Sequence, residues 1–312
     1  MGAATKAHDI EALIALAQGL RGGSGEEATV RLRGGNLAAW AYLAAQIRRH
    51  TARPILVLAP GPKAARRLVG DLRLFLGDGL PPPPGRTARP VLFFPAWDIF
   101  PFARHSPSPQ VVGERLRGLF ALAGGEAEAV VTYPEALRQR FLPLGRLLGH
   151  LRALRGGEGV EREGFIASLV AGGYLRVPMV EAQGEFAVRG GIVDLFAPWG
   201  ENPLRVEFVG DEVDSIREFN PINQRTLATH KSVLIPPARE ILLAGEERRR
   251  GEGAIRALAR EEGAELARMG AMLEALQQEG YFPGAESLLP LFVEPLECLF
   301  DHLPAQALWV VV

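Results

Sequence analysis

The segment from Thr29 to Ile47 has the order strand, glycine turn, helix, which is the layout of a phosphate-binding loop. In such a loop, backbone N–H groups of the turn hold the phosphates, a lysine contacts the β- and γ-phosphates, and a serine or threonine hydroxyl binds magnesium. Here Gly34 and Gly35 are followed by Asn36 and two apolar residues, so the lysine and the hydroxyl are both missing. We therefore predict a degenerate loop and no ATP hydrolysis by this chain. The same segment also fits a plain strand–turn–helix.

The other reactive side chains lack the spacing of a catalytic or metal site. Cys298 is the only cysteine, which excludes a disulfide framework and a cysteine-rich zinc site within one chain. Neither Cys298 nor His105 has partner residues in a recognisable pattern. We therefore predict no metal, no cofactor and no catalytic residue.

Positive charge is concentrated near the start of the chain, where a single acidic residue, Asp71, accompanies nine basic ones. The basic residues are Arg31, Arg33, Arg48, Arg49, Arg53, Lys63, Arg66, Arg67 and Arg73. Two interpretations remain open. One is a surface that contacts DNA phosphates or an acidic partner domain. The other, which we favour, is a set of solvated helix faces.

The composition is that of an ordinary globular protein. The 312 residues are 47% apolar and 23% charged, with a formal net charge of -1. This length allows about two domains, and the near-neutral balance argues against a chain-wide field for binding nucleic acid. The first residues lack the pattern of a signal peptide, and no apolar run approaches the roughly 20 residues of a membrane span. We expect a cytoplasmic protein without membrane contact.

Strand and helix signals alternate in the first half of the chain. Four short apolar strands are predicted, at Thr29–Leu32, Ile55–Ala59, Val91–Phe94 and Ala129–Thr132. Helices are predicted between them, including Leu37–Arg49 and Glu114–Ala123. Trp97 and Phe100 are expected to pack against the end of the sheet. Buried strands separated by helices favour a mostly parallel sheet that is covered on both faces.

A helix is predicted at Arg162–Ala171. After it, between Tyr174 and Phe219, apolar residues recur at every second position. Strands are predicted at Glu185–Arg189, Ile192–Phe196, Leu204–Phe208 and Val213–Phe219. The gaps between them are too short for helical crossovers, so we expect antiparallel pairing. A further strand opens at Val233–Pro237, and a charged helical stretch follows at roughly Glu246–Glu279. Leu308–Val312 reads as a buried strand with no partner after it, which indicates a piece of a longer polypeptide.

Four motifs carry a resemblance to a known family: Tyr174–Arg176, Gly184–Phe196, Arg205–Val213 and Phe219–Thr226. Together they resemble the inserted domain shared by the nucleotide-excision-repair helicase UvrB and the transcription-repair coupling factor Mfd. The missing aromatic hairpin of UvrB, the degenerate loop and the Phe-Pro-Gly region favour the coupling-factor branch. The resemblance extends over about nine-tenths of the chain, including Arg53–Leu76 and Gly280–Pro304.

The resemblance implies an α/β fold with a degenerate RecA/helicase-like parallel sheet domain in two parts and an inserted α+β antiparallel domain, as in UvrB. The first part is expected at residues 1–144 and the inserted domain at 145–235. The second part is expected at 236–312, truncated at its end.

The resemblance also implies where a partner docks, because the inserted domain of this family binds UvrA. The matching positions are Arg176, Arg189, Arg205 and Glu207, whereas Ala187 stands where UvrB often carries a further arginine. Strand alternation independently places Arg205 and Glu207 on one face and Val206 and Phe208 on the other. Asp194 is expected to cap or pair locally, and Phe186 and Phe196 to lie in the core.

The function implied is that of a non-catalytic adaptor that recruits UvrA to stalled RNA polymerase. Contacts with distal domains of the full-length chain would contribute to autoinhibition of an ATP-dependent DNA translocase. RNA polymerase and DNA would be bound by regions outside these 312 residues. The alternatives are a DNA-binding module that uses the basic first-domain surface and a UvrB-like ATPase.

Overall fold

The structure is a computed structural model that describes residues 34–51, 53–77, 91–100, 103–262, 266–278 and 280–312. The predicted strand Thr29–Leu32 lies outside these residues, as do Arg31 and Arg33. The chain divides into two compact units. Unit 1 consists of the described parts of Met1–Ala96, Arg117–Gln139 and Leu299–Val312, and unit 2 of those of Trp97–Leu116 and Arg140–Cys298.

Unit 1 contains a parallel sheet of four strands. These are β1 (Ile55–Leu58), β2 (Val91–Phe93), β3 (Ala129–Thr132) and β12 (Leu308–Val311). Their order is β12–β1–β3–β2, and every pair is parallel. The predicted parallel sheet is therefore confirmed for the three early strands that the structure describes.

Two helices, α1 (Leu37–Thr51) and α2 (Pro62–Leu76), cover one face of this sheet. Ala45 and Leu68 are fully buried there and share a core with Val57 and Val131. Two more helices follow β2 in the chain, α3 (Pro109–Ala123) and the short α4 (Pro134–Arg138). Helix α3 begins five residues before the predicted Glu114, because Pro109 has the fixed φ that suits a helix start.

The last strand differs from its prediction. We expected a buried strand at Leu308–Val312, but β12 is only partly buried, and among the described strands it pairs with β1 alone. Its burial alternates, so Trp309 is 44% exposed and Val311 is 71% exposed.

Unit 2 contains an antiparallel sheet that includes the four motifs. Its strands are β5 (Leu175–Arg176), β6 (Glu185–Arg189), β7 (Ile192–Leu195), β8 (Leu204–Val209), β9 (Glu212–Phe219) and β10 (Thr226–Thr229). They lie in the order β10–β9–β8–β7–β6–β5, and only β5 pairs in parallel. The predicted antiparallel module is confirmed, with bounds that shift by one residue at most.

One face of the antiparallel sheet carries the second core. Phe186, Val206 and Ile216 are fully buried there and pack with Phe165 and Leu169 of helix α6 (Arg162–Ala171). Helix α6 has the predicted bounds. Phe186 is in the core as predicted, whereas Phe196 is only half-buried.

The remaining elements of unit 2 include a second small sheet and several helices. They are α5 (Leu144–Gly149), β4 (Arg152–Arg155), β11 (Ser232–Ile235), α7 (Gly245–Glu262), α8 (Leu266–Gln278) and α9 (Leu289–Phe292). Strand β11 pairs with β4 in antiparallel fashion.

The charged helical stretch predicted at roughly Glu246–Glu279 contains two helices, α7 and α8, and residues 263–265 between them lie outside the described residues. The prediction for Phe100 is wrong, because this residue was expected to pack against a sheet end and is 86% exposed. Trp97, three residues before it, is half-buried, and its indole N–H donates to Glu240 Oε1 over 3.0 Å.

Candidate partner-binding face

Charged side chains alternate with core residues along the middle strands of the antiparallel sheet. In antiparallel pairing, residues directly opposite each other share a face. The register places Asp194 opposite Arg205, Arg205 opposite Arg217, and Glu207 opposite Ser215. We call this surface the charged face, and its members are Arg189, Asp194, Arg205, Glu207, Ser215 and Arg217.

Asp194 is the centre of the charged face. Its carboxylate is 3% exposed and accepts hydrogen bonds from two arginines. Arg205 donates from Nε to Oδ1 over 2.7 Å and from Nη2 to Oδ2 over 2.9 Å, while Arg189 Nη2 donates to Oδ2 over 2.6 Å. The predicted local pairing of Asp194 is confirmed, because a buried carboxylate needs such compensation.

The two arginines differ in how much surface they offer. The side chain of Arg205 is 19% exposed and that of Arg189 is 52% exposed. Arg189 is thus oriented by Asp194 while half of it stays open to solvent. A guanidinium held in this way can still donate to a carboxylate on a partner, because it presents five N–H groups in a planar fork.

Arg205 is fixed by two further contacts besides its hydrogen bonds to Asp194. Its guanidinium carbon lies 4.5 Å from the centre of the Phe219 ring, a cation–π geometry. Its Nη2 also donates to Gln224 Oε1 over 2.9 Å. The hydrogen bond to Asp194, and then the charges of Asp194 and Glu207, raise the pKa of Arg205 above its ordinary value.

Glu207 forms the second ion pair of the charged face. Ser215 Oγ donates to Glu207 Oε2 over 2.9 Å, and Arg217 pairs with the other carboxylate oxygen. The hydrogen bond from Ser215, followed by the pairing with Arg217, lowers the pKa of Glu207. The face therefore presents fixed positive and negative groups side by side at neutral pH.

Arg176 lies apart from the other three predicted docking residues. It is exposed on the edge strand β5, and its register partner is Phe186, on the core side of the sheet. Its side chain has no hydrogen bond or ion pair with the described residues. The structure thus brings Arg189, Arg205 and Glu207 together, but it does not bring Arg176 to them.

Our sequence reasoning missed Arg217 and Gln224. Simple counting back from the Gly210-Asp211 turn places Ile216 opposite Arg205. A bulge between Glu207 and Phe208 shifts the register by one residue and places Arg217 there instead.

The glycine turn that resembles a phosphate loop is closed by the chain itself. Gly34 and Gly35 have φ values of 89° and 84°, which glycine adopts without strain. Asn36 Oδ1 then accepts a hydrogen bond from the N–H of Ala39 over 3.0 Å, which caps α1. A helix N–H that would face an anion in a working phosphate loop is thus satisfied by a side chain.

Most of the described basic residues near the start of the chain make contacts within unit 1. Arg48 pairs with Glu128 at 3.6 Å, and Arg66 stacks over Phe93 at 4.7 Å. Three more donate to backbone carbonyls, namely Arg49 to Phe75, Arg53 to Gln306 and Arg73 to Val91. Only Lys63 and Arg67 are exposed without a contact among the residues that the structure covers.

The described residues contain neither a candidate metal site nor a membrane-spanning helix. No group of three or more His, Cys, Asp or Glu side chains there has a metal-binding arrangement. None of the described helices combines the length and hydropathy needed to cross a membrane.

Comparison with known proteins gives a family and a set of relatives. Residues 153–241, which contain the whole charged face, match the family described as "UvrB interaction domain". The transcription-repair-coupling factor of Myxococcus xanthus is 36% identical over 277 residues, covering 88% of this chain and 23% of that protein. That of Escherichia coli K12 is 30% identical over 278 residues, with 88% and 23% covered. The protein from Bacillus subtilis 168 is 34% identical over 200 residues, with 64% and 16% covered.

The chain therefore spans about a quarter or less of the length of these relatives. The resemblance predicted from the four motifs is confirmed.

Proposed function

We propose that this chain, which resembles the N-terminal UvrB-like module of the transcription-repair coupling factors, is an adaptor that binds UvrA through the charged face. The observation that carries the proposal is the arrangement of Arg189 and Arg205 around the buried Asp194, inside the region that matches the UvrB interaction domain. The face would receive a protein surface that presents carboxylates to the two guanidinium groups.

The adaptor role depends on how rigidly the charged face holds its side chains, and it requires no chemical reaction. Contacts that are fixed before binding reduce the entropy lost on association. Arg205 is held by Asp194, Gln224 and Phe219, so little of its side-chain freedom remains to be lost. The charged face carries both positive and negative groups, which favours a specific protein partner over a uniformly acidic polymer such as DNA.

We infer that the chain contains a degenerate helicase-like domain in two parts, at residues 1–144 and 236–312, with the inserted domain at residues 145–235 between them. The Asn36 cap supports a non-catalytic role, since it occupies the helix start where a working loop would place its lysine and hydroxyl.

In a full-length protein of this kind, we propose that the chain would recruit UvrA to RNA polymerase stalled on DNA in the cytoplasm. Contacts with distal domains would contribute to autoinhibition of the translocase. The names of the relatives support the coupling role, because each is a transcription-repair-coupling factor.

Capture of purified UvrA by the immobilised chain tests the proposal. We expect Arg189→Glu and Arg205→Glu to reduce capture strongly, because each places a like charge opposite the partner's carboxylate. Arg176→Glu is also expected to weaken capture, because Arg176 matches a docking position of the family, although it lies apart from the other three residues. Arg155→Glu is the matched control, since Arg155 is an exposed arginine of β4 in the same unit.

Full capture by both charged-face variants would contradict the proposal. Because each substitution places a second carboxylate beside the buried Asp194, lost capture supports the proposal only where the unfolding curve of the variant matches that of the unmodified chain. Loss of capture by the Arg155 variant would show that total charge matters rather than the charged face.

The remaining alternative is DNA binding through α2. Lys63 and Arg67 favour it, because both are exposed without described contacts. A mobility shift on duplex DNA that weakens steeply with salt and disappears in Lys63→Glu and Arg67→Glu would support this alternative.

A further inference from the structure

Ile222 lies at the tip of the turn between β9 and β10, and its side chain is 92% exposed. It is the most exposed large apolar residue in the described part of the chain. Single exposed apolar residues are common and need no explanation by themselves. What distinguishes Ile222 is the turn that carries it.

The turn is held in one conformation by its own side chains. Asn220 Oδ1 accepts hydrogen bonds from the backbone N–H groups of Ile222 and Asn223, over 2.9 Å and 3.2 Å. Gln224 Nε2 donates to the Pro221 carbonyl over 2.8 Å, and Gln224 N donates to the Asn220 carbonyl over 2.8 Å. Ile222 is thus presented on a rigid loop.

The same turn is joined to the charged face. Gln224 Oε1 accepts from Arg205 Nη2 over 2.9 Å, so one glutamine side chain fixes both the turn and the arginine. Gln224 has a φ of 59°, a left-handed conformation that is uncommon outside glycine. This conformation is retained by the hydrogen bonds on both sides of it.

We propose that Ile222 is the apolar anchor of the interface centred on the charged face, and that it enters a hydrophobic recess of the same protein partner. The inference rests on the proposed function and adds a residue to it. The partner would present carboxylates to Arg189 and Arg205 and an apolar recess beside them. Rigid apolar anchors next to charged groups carry a large share of the affinity in many interfaces.

The test is the Kd of purified UvrA for variants of the whole chain. Ile222→Ser is expected to weaken binding about 30-fold, because burying one large aliphatic side chain contributes about that factor. Ile222→Val, which keeps most of the apolar surface, is expected to stay within about threefold.

Val170→Ser is the matched control. Val170 is 57% exposed on α6, the helix that packs against the core side of the sheet. This variant is expected to bind like the unmodified chain. The salt dependence of Kd should be the same for Ile222→Ser as for the unmodified chain, because an apolar anchor removes no charge from the interface.

An unchanged Kd for Ile222→Ser alongside weaker binding by Arg205→Glu would overturn this inference and leave the proposed function standing. Equal weakening by Val170→Ser would also overturn it. If the unmodified chain fails to bind UvrA, the proposed function is wrong and the inference falls with it.

Discussion

Asp194 determines the geometry of the charged face at the scale of single residues. It is buried and lies between Arg189 and Arg205, which both donate to it. A carboxylate in this position is stabilised only while both arginines point toward it. Asp194 therefore fixes the directions in which the two guanidinium groups are offered to a partner.

Replacing Asp194 with Asn should weaken both the fold and the docking surface. The amide can accept from Arg205 but loses the charge that orients Arg189, so we expect the free energy of unfolding to fall by about 2 kcal/mol. Urea unfolding and UvrA capture measure the two effects. Asp214→Asn, at an exposed position of β9, should change the unfolding free energy by less than about 0.5 kcal/mol. Equal effects of the two substitutions would contradict this role for Asp194.

Glu286 is another buried carboxylate in unit 2, and its surroundings differ from those of Asp194. It is 5% exposed and accepts a hydrogen bond from Tyr281 Oη over 2.9 Å. Glu240, which pairs with Arg115, adds a nearby negative charge. Burial, and to a smaller extent the charge of Glu240, raise the pKa of Glu286 above its ordinary value of 4.5.

A raised pKa in the folded state makes stability fall as pH rises. The contribution of Glu286 is fully present below its unfolded pKa and is lost as pH rises through the folded pKa. Because glutamine does not titrate, we expect Glu286→Gln to abolish this loss. The free energy of unfolding of the variant minus that of the unmodified chain should therefore be greater at pH 8 than at pH 5. Urea unfolding at both pH values measures it, with the exposed Glu294→Gln as control. Parallel pH profiles for Glu286→Gln and the unmodified chain would show that Glu286 does not titrate in this range.

At the scale of elements, the β6–β7 hairpin depends on two glycines for different reasons. Gly190 has a φ of 60°, with open space where a side chain would lie. Gly191 closely approaches β8, so a Cβ there would lie 2.6 Å from the carbonyl oxygen of Phe208. The N–H of Phe208 donates back to the Gly191 carbonyl over 2.8 Å. The hairpin positions Arg189, so both glycines support the charged face.

Alanine substitutions separate the two reasons. Gly190→Ala is expected to cost about 1 kcal/mol, the strain of a left-handed conformation with a side chain. Gly191→Ala is expected to cost about 3 kcal/mol, because β8 must move away from the added methyl group. Urea unfolding of both variants measures the difference. A larger loss for Gly190→Ala would mean that the turn conformation, and not the close approach, limits the hairpin.

At the scale of the whole molecule, each unit has its own sheet and its own core. Unit 1 carries the parallel sheet, with helices α1 and α2 on one face. Unit 2 carries the antiparallel sheet, with helix α6 on its core face. The charged face belongs entirely to unit 2, so its geometry is specified within that unit.

We expect the purified chain to show no magnesium-dependent ATP hydrolysis. The reason is the combination of the absent lysine and hydroxyl with the Asn36 cap on α1. A coupled phosphate-release assay measures turnover, with a working phosphate-loop ATPase as positive control. Turnover that rises with magnesium and persists through further purification would contradict the degenerate-loop interpretation.

The sequence by itself determined the features that depend on local patterns. Alternation along β8 separated Arg205 and Glu207 from Val206 and Phe208, because successive side chains of a strand point to opposite faces. Short gaps at Gly190-Gly191 and Gly210-Asp211 required antiparallel neighbours. Longer helical connections predicted the parallel sheet of unit 1. These rules need only a few consecutive residues, so the sequence alone is enough to apply them.

The tertiary structure alone decided which of these residues meet. The bulge at Glu207 and Phe208 keeps both Val213 and Ile216 in the core, although their odd spacing breaks the alternation. As a consequence, Arg217 lies opposite Arg205, and the next turn brings Gln224 to the same arginine. The register of β8 and β9 is set when the two strands pack against one shared core, and the register determines which residues form the charged face. Neither strand's own sequence specifies this register.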